Sequence, residues 1–267
     1  MTSVQTPPSS PPPPAPKPRS RKLLWFGIGG LVVVIVAAVA IWYFVFRDTA
    51  PERVNIDSAG NTAQEEQQSS SGDGDQASSS LDGPWTVDSS IGEFNPDAGT
   101  YTSAFVGYRV QEELASIGAK TAFGRTPAVT GRLTIEGTEA TEATFEADLT
   151  GLQSDDDRRD GQLANQGIQT AQFPTATFTL TDPIDFGAIP TDETAVAVDA
   201  VGDLTLHGVT KSVTIPLEAK LVGDTIVVTG IYDITFADFG IEKPVSAAVL
   251  TIEDRGQMEF QLFFTRS

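Results

Sequence analysis

The side chains that carry most enzyme chemistry are scarce in this chain. It has no cysteine and a single histidine, His207. Thiolate nucleophiles, cysteine-bound metals and sites with two or three histidines are therefore excluded within one chain. The sequence also lacks a glycine-rich phosphate loop and a Gly-x-Ser-x-Gly elbow. We predict no catalytic residue, no metal site and no cofactor, and a hydrolase that acts on envelope glycans through paired acids stays a minor alternative.

His207 and the acidic run Asp155–Asp157 are the polar motifs that most invite a functional interpretation. His207 precedes Gly208 at the end of a strand-like alternation, and the sequence places no nucleophile beside it. We therefore interpret His207 as a residue that fixes a turn by a hydrogen bond, rather than as a general acid or base. Three adjacent carboxylates point in different directions, so Asp155–Asp157 predicts the first turn of a helix instead of a calcium site.

The elements that position these residues follow a period of two. In residues 145–149, 213–221 and 258–264 apolar side chains alternate with polar ones, which is typical of antiparallel strands with one dry face. Seven or eight strands are predicted, with helical interruptions at Gln111–Ile117 and Asp155–Ala171. The fold class is therefore all-β, either a closed barrel or a sandwich, and a closed barrel removes exposed strand edges.

Aromatic residues recur in these strands with the same period. In most β proteins such residues pack a solid core, whereas in an open barrel they line a cavity for one ligand. Both interpretations stay open on the residues alone. The candidates for lumen-lining residues are Phe105, Tyr108, Phe123, Phe145, Phe173, Phe178, Phe260 and Phe264.

The net charge excludes one class of partner. The chain carries −19, and residues 81–267 account for −18 of it. A surface this negative repels phosphate backbones and anionic lipid head groups, so we predict no nucleic-acid binding and no flat adsorption of the domain to a bilayer. The negative charge is compatible with two other interpretations. The domain can be a structural barrel with a packed interior that binds a basic protein partner, and it can form a homodimer.

An apolar segment near the N-terminus predicts a membrane anchor. Leu23–Phe46 contains 24 residues without a charge, enough for a helix to cross a hydrocarbon layer of about 30 Å. Lysine and arginine residues cluster before this segment, which predicts a single-pass protein of the cell membrane with a cytoplasmic N-terminus and an extracytoplasmic domain. A cleaved signal peptide is the alternative, because Ala38-Val39-Ala40 resembles a cleavage site, but six more apolar residues follow it.

The composition on either side of this segment divides the rest of the chain. Residues 1–22 are proline-rich and predict a disordered cytoplasmic tail. Residues 47–83 are rich in Ser, Gly, Gln and acidic residues and predict a flexible extracytoplasmic linker. Residues 84–267 remain for the barrel domain, which is large enough to bury a core without disulfides.

Five motifs of this domain carry a family resemblance. In chain order they are Trp85–Asp88, Arg158–Leu163, Phe173–Phe178, Gly202–Lys211 and Asp238–Ile241. Together they resemble the YceI-like, polyisoprenoid-binding family from about Trp85 to the C-terminus. The resemblance implies an extended, lipocalin-like, eight-stranded antiparallel barrel that holds an isoprenoid, a quinone-type lipid or another fatty amphiphile in a hydrophobic lumen.

The resemblance also implies roles for single residues. Mainly structural roles fall to Arg159, Asp160, His207, Gly208, Asp238 and Gly240. The Arg–Asp pair either clamps its helix to the barrel or holds a polar head group, and clamping is favoured. Many members of the family carry a histidine in the segment that corresponds to Phe105–Val110, and this chain has none there. The difference affects the residue that would contact the head group of a bound lipid. The prediction is a membrane-tethered, extracytoplasmic lipid-binding barrel that is not an enzyme.

Overall fold

The structure is a computed structural model that describes residues 35–39, 50–69, 80–115, 118–188, 194–247 and 249–266. Residues 35–39 are helical and exposed, and two further helices are α1 (Ile56–Ser69) and α2 (Asp157–Leu163). The strands in these ranges are β1 Gly83–Val87, β2 Phe94–Asn95, β3 Thr100–Tyr101, β4 Phe105–Leu114, β5 Gly118–Thr126, β6 Val129–Glu136, β7 Glu139–Asp148, β8 Thr175–Leu180, β9 Ile184–Asp185, β10 Val196–Leu206, β11 Val209–Val222, β12 Thr225–Thr235, β13 Val249–Ile252 and β14 Arg255–Arg266.

Eight of these strands close into a barrel. Their order around the ring is β1-β6-β7-β8-β10-β11-β12-β14, all neighbours are antiparallel, and the last residues of β14 pair back with β1. The first half of β14 pairs instead with β4, and β5 pairs with β4, so these two strands extend the wall. The predicted eight-stranded antiparallel barrel is confirmed, and the sandwich alternative is wrong because β1 and β14 join the two ends of the sheet.

Alternate residues of the ring strands point into the barrel. In β11, Val213 and Ile215 are buried while Thr214 and Pro216 are exposed, as the period of two predicted. On the outside, the connection from β1 to β4 covers part of the wall and buries its own Ala104. The barrel therefore has two apolar layers, one facing the lumen and one beneath this covering segment.

Both predicted helices differ from the structure. Residues 111–114 belong to β4, because they pair in register with β5 from Gln111↔Thr121 to Leu114↔Gly118. This cross-strand pairing overrides the helical preference of the Glu-Glu-Leu-Ala run, and residues 116–117 lie outside the described ranges. The second helix is α2, seven residues long. The Asp156 side chain caps its first turn, and Gly167 with a φ of 62° turns the chain away soon after its end.

The predicted flexible linker contains an ordered part. Residues 50–69, here called the strap, lie on the outer wall of the barrel, and α1 packs against β11 and β12. The Asn55 side chain accepts hydrogen bonds from two backbone N–H groups in the first turn of α1. Ile56, Ala59 and Ala63 are buried and share one face of the helix. The low overall apolar content concealed this stripe, and residues 47–49 and 70–79 lie outside the described ranges.

The predicted membrane helix, Leu23–Phe46, and the predicted tail, residues 1–22, lie almost entirely outside the described ranges. Among the residues that the structure does describe, no helix combines the length and the apolar character needed to span a bilayer. The anchor therefore stays a prediction from the sequence.

Candidate functional site

The barrel encloses an inner cavity of about 180 Å³. Its wall is made almost wholly of aliphatic and aromatic side chains from the ring strands, among them Leu133, Ala143, Ala200, Ile215 and Leu262. Small residues at Ala143 and Ala200 leave space that larger side chains would fill. Apolar cavities of about 150 Å³ stay free of water and take up small apolar molecules, so this space suits an apolar guest.

A second cavity of about 580 Å³ adjoins the first. Val106, Ala176 and Met258 contribute to the walls of both, so the two spaces lie end to end. The second cavity has a mixed lining, with Leu206 and Ile234 on its apolar side. Its polar side chains include Glu112 of β4, Asp156 just before α2, three residues of α2 and Gln257 of β14; the three from α2 are Arg158, Arg159 and Gln162. The pair of cavities is therefore apolar at one end and partly polar at the other.

Five of the eight predicted aromatic residues line these cavities. Phe145, Phe178, Phe260 and Phe264 line the inner cavity, and Tyr108 lines the second. Phe145 and Phe264 also meet edge to face, with ring centroids 5.8 Å apart.

The other three aromatics contact different partners and do not appear in the walls of the two cavities. Phe105 lies beneath the Arg125 guanidinium, 4.3 Å from ring centroid to Cζ, and Phe123 packs on Tyr101. Phe173 stacks on His207. Phe105 and Phe123 lie on the opposite face of β4 and β5 from Tyr108, because alternate residues of a strand face opposite ways. The sequence pattern shows this alternation but not which face is the lumen.

Glycines in neighbouring strands give the lumen aromatics their space. The ring of Phe260 lies over Gly230, its partner across the ladder, and the ring of Phe145 lies over Gly131 in the same way. Tyr108 likewise covers Gly124. A Cβ at any of these glycines would collide with the ring. The rings therefore fold against the wall instead of projecting across the barrel, which keeps the interior hollow.

Arg159 ties α2 to the barrel wall at the second cavity. Its Nη2 lies 3.1 Å from Glu112 Oε1 on β4, and its Nη1 lies 2.7 Å from Asp155 Oδ1. Burial acts to lower the pKa of Arg159, but its hydrogen bond to Asp155 and the nearby Tyr108 and Glu112 outweigh it and raise the pKa. Asp160 accepts a hydrogen bond from a backbone N–H before the helix, at residue 154. The clamp thus runs through Glu112 rather than through an Arg159–Asp160 pair.

Tyr108 places a buried hydroxyl at the second cavity. Among the described residues this hydroxyl has no hydrogen-bond partner, and burial raises the pKa of Tyr108 above its ordinary value. We expect Tyr108→Phe to raise the unfolding free energy of the ligand-free chain by about 1–2 kcal/mol, since an unsatisfied buried hydroxyl is removed. Urea unfolding measures this change. Tyr232→Phe at a partly exposed tyrosine is the control, and a loss of stability in Tyr108→Phe would contradict the expectation.

The remaining motif residues form a structural cluster at the β10–β11 turn. His207, with a φ of 53°, occupies this turn together with Gly208, and its Nδ1 lies 3.0 Å from the Phe239 carbonyl oxygen. Lys211 pairs with Asp238 at 3.1 Å, and Gly240 with a φ of 63° ends the 3-10 turn Phe236–Phe239. These contacts join two separate motifs, and the packing of Phe173 on His207 adds a third. The contacts of the cluster are those of residues that hold the fold together.

A buried ionic cluster on the outer face of the wall was not predicted. Glu259 has no exposed surface, and its Oε1 lies 2.7 Å from Arg125 Nη2 and 3.7 Å from Arg109 Nη1. The strap covers this cluster, since Arg109 donates to the Pro51 carbonyl and Arg125 to the Glu52 carbonyl. Burial lowers the pKa of Arg125, and Glu259 opposes this shift. In the sequence these charges alternate with apolar residues and therefore resemble an ordinary wet strand face.

An eight-stranded closed barrel around an apolar lumen places this protein in the class of lipocalin-like barrels. The model of the YceI-like domain matches residues 85–264, about two thirds of the chain, and the chain belongs to the YceI-like family.

Two individual proteins illustrate the relationship. Protein YceI of Escherichia coli O6:H1 is 35% identical over 123 residues, which cover 45% of this chain and 57% of that protein. The chain therefore spans little more than half the length of this relative. The solved polyisoprenoid binding domain from Saccharophagus degradans, implicated in plant cell wall breakdown, aligns with a TM-score of 0.51 at 20% identity over 68% of this chain and 98% of that domain. At this identity the likeness concerns the fold alone.

Proposed function

We propose that this barrel binds the apolar chain of an isoprenoid or other amphiphilic lipid in its lumen, as a binding protein and not an enzyme. The observation that carries the proposal is the inner cavity of the barrel with its almost wholly apolar wall. The solved structural neighbour, which is a polyisoprenoid binding domain, supports the choice of ligand class.

The energetics of the lumen agree with this ligand. Each methylene buried from water contributes about 0.8 kcal/mol, so a dozen contribute about 10 kcal/mol before the costs of ordering the chain. The partly polar second cavity can then hold the more polar end of the molecule beside Arg159 and Gln162. The two cavities favour this proposal over a barrel with a packed interior, the alternative kept open by the sequence.

The proposal includes a membrane tether. Leu23–Phe46 anchors the chain in the cell membrane, with the barrel on the extracytoplasmic side, on the strength of the uncharged length and the preceding basic residues. The tether keeps the barrel beside the bilayer, where apolar chains reside.

Lipid extraction of the purified full-length chain, followed by mass spectrometry, tests ligand binding directly. We expect a co-purifying isoprenoid or fatty amphiphile that is absent from a mock purification. Uptake of farnesol by lipid-depleted protein gives a second readout. A chain that carries no lipid and takes up no farnesol would overturn the proposal.

Filling the lumen should abolish binding without breaking the fold. Ala143 points into the inner cavity from β7, whereas its neighbour Thr144 is exposed on the outer face. We expect Ala143→Trp to lower bound lipid at least about tenfold, because an indole there displaces several buried methylenes. Thr144→Trp is the matched control and should bind as the unsubstituted chain does. Equal binding by both variants would place the ligand outside the barrel.

A further inference from the structure

The barrel wall is interrupted between β8 and β9. Both strands pair with β7, β8 through Thr175–Thr179 and β9 through Ile184–Asp185, so they occupy one strand position with a break between them. Pro183 lies in the break and has no backbone N–H to donate. Hydrogen bonding to β10 ends at Val201, whose carbonyl oxygen accepts from the N–H of Thr181 at 2.9 Å.

Beyond this point, among the described residues, β10 makes no ladder pairing with β9. Residues 196–200 pair with β11 on their other side. Within the described part of the chain no hydrogen bond joins β10 to β9, although Cα atoms of the two strands approach within 8 Å. We call this gap the seam. It is a place where two strands of the wall can separate without the loss of ladder hydrogen bonds.

The seam separates the inner cavity from a groove on the outside. This outer groove has a volume of about 740 Å³ and crosses β9 to β12 beside Val54 of the strap. Ile184, Val198 and Leu217 contribute to the walls of both the inner cavity and the outer groove. At the seam, therefore, a single layer of side chains separates the lumen from the outside.

The outer groove combines apolar surface with acidic side chains. Val54, Pro216 and Ile231 offer apolar surface along it. The carboxylates of Asp185, Asp199 and Glu218 flank it. These acids repel an anionic head group but tolerate a hydrocarbon end that lies on the apolar surface. The inner cavity and the adjoining second cavity have limited volumes of about 180 and 580 Å³, so a chain too long for both needs space beyond them.

We propose that the seam is a second opening of the lumen, through which the apolar end of a long isoprenoid chain passes into the outer groove. The inference rests on the proposed function and adds that the seam discriminates between bound isoprenoid chains by their length. Short chains end inside the barrel, whereas long chains protrude.

Closing the seam with a chemical bridge tests this inference. Because the chain has no cysteine, Asp185→Cys combined with Ala197→Cys introduces the only two thiols, both at exposed positions on the outer groove. A short bis-maleimide joins them in the purified full-length chain, and mass spectrometry confirms the bridge. Binding of farnesol and of the long alcohol solanesol is then titrated before and after bridging.

We expect bridging to leave farnesol binding unchanged and to weaken solanesol binding about tenfold for every two methylenes that lose their site. The matched control is Thr179→Cys with Asp203→Cys, an exposed pair across the hydrogen-bonded part of the same wall. Bridging this pair should change neither affinity. Unchanged solanesol binding across the bridged seam would overturn the inference, whereas failure of the unsubstituted chain to bind either alcohol would overturn the proposed function instead.

A second variant gives a readout that does not depend on bridging. Ala197→Cys alone places one thiol on the outer groove, at an exposed position that does not line the inner cavity. Solanesol should slow labelling of this thiol by a bulky maleimide at least about tenfold, since buried methylenes must be displaced first, and farnesol should not. Equal labelling with both alcohols would contradict passage through the seam.

Discussion

Glu259→Gln is expected to lower the unfolding free energy by about 3–5 kcal/mol, the range measured when one partner of a buried ion pair is removed. Glu259 is wholly buried and accepts from Arg125 Nε at 2.8 Å, while Arg109 lies next to the same oxygen. Without the carboxylate charge, two guanidinium groups remain under the strap with only neutral acceptors, the introduced amide oxygen and the backbone carbonyls. Urea unfolding of the full-length chain, followed by tryptophan fluorescence, measures the loss.

Two further variants separate the buried charge from other effects of substitution at Glu259. Glu113→Gln changes an exposed acid on β4 and should stay within about 0.5 kcal/mol of the unsubstituted chain. The double variant Glu259→Met with Arg125→Met removes the close pair together and should lose less stability than Glu259→Gln alone, because apolar side chains of similar volume avoid the desolvation cost. A loss below about 1 kcal/mol in Glu259→Gln would show that the cluster is not energetically coupled.

Gly230→Ala is expected to impair both stability and lipid capacity. A Cβ at Gly230 would lie 2.7 Å from Phe260 Cε1 and 3.0 Å from Cε2, and the Phe260 ring is also part of the lumen wall. The ring must then turn into the inner cavity, and overpacking of this kind costs about 1–3 kcal/mol. We expect bound lipid to fall in parallel, as measured by mass spectrometry of the extracted chain.

A control of opposite sign and a rescue make this result specific. Gly161 lies in α2 with nothing within 4 Å of its absent Cβ, so Gly161→Ala should stabilise the chain by about 0.5–1 kcal/mol. Combining Gly230→Ala with Phe260→Leu should restore lipid binding, because the smaller side chain clears the lumen; the coupling energy follows from the double-mutant cycle. Full lipid binding by Gly230→Ala alone would refute the view that glycines keep the lumen open.

In our proposal, the seam and the glycine positions together control which ligand the barrel takes up. Gly131 and Gly230 let aromatic rings fold against the wall and so set the width of the lumen. Pro183 interrupts the wall and so, in our proposal, decides what chain length the barrel accepts. Glycine, which has no side chain, therefore affects the width of the lumen. Proline, which has no backbone N–H to donate, affects the chain length that the lumen accepts.

The strand content of this protein was predictable from the sequence, because alternation with a period of two is a local property of a half-buried strand. The alternation left a barrel and a sandwich open, and the family resemblance predicted the barrel. The order of the five motifs was sufficient to recognise the family. Placing the aromatics was only partly predictable: Tyr108 and Phe260 line the cavities, but Phe105 and Phe123 do not. Strand alternation separates two faces but does not say which one closes on the lumen.

What the sequence determined by itself was an all-β, acidic, YceI-like domain with its turns, since these depend on neighbouring residues. Only the tertiary structure decided the rest. Glu259 resembles a solvent-facing acid until Arg125, separated from it by 134 positions in the chain, is brought beside it. Residues 111–114 form a strand because they pair with β5, and α1 is ordered because its apolar face packs on the outer wall of the barrel. In both cases pairing and burial between distant segments outweigh the local secondary-structure preference of the sequence.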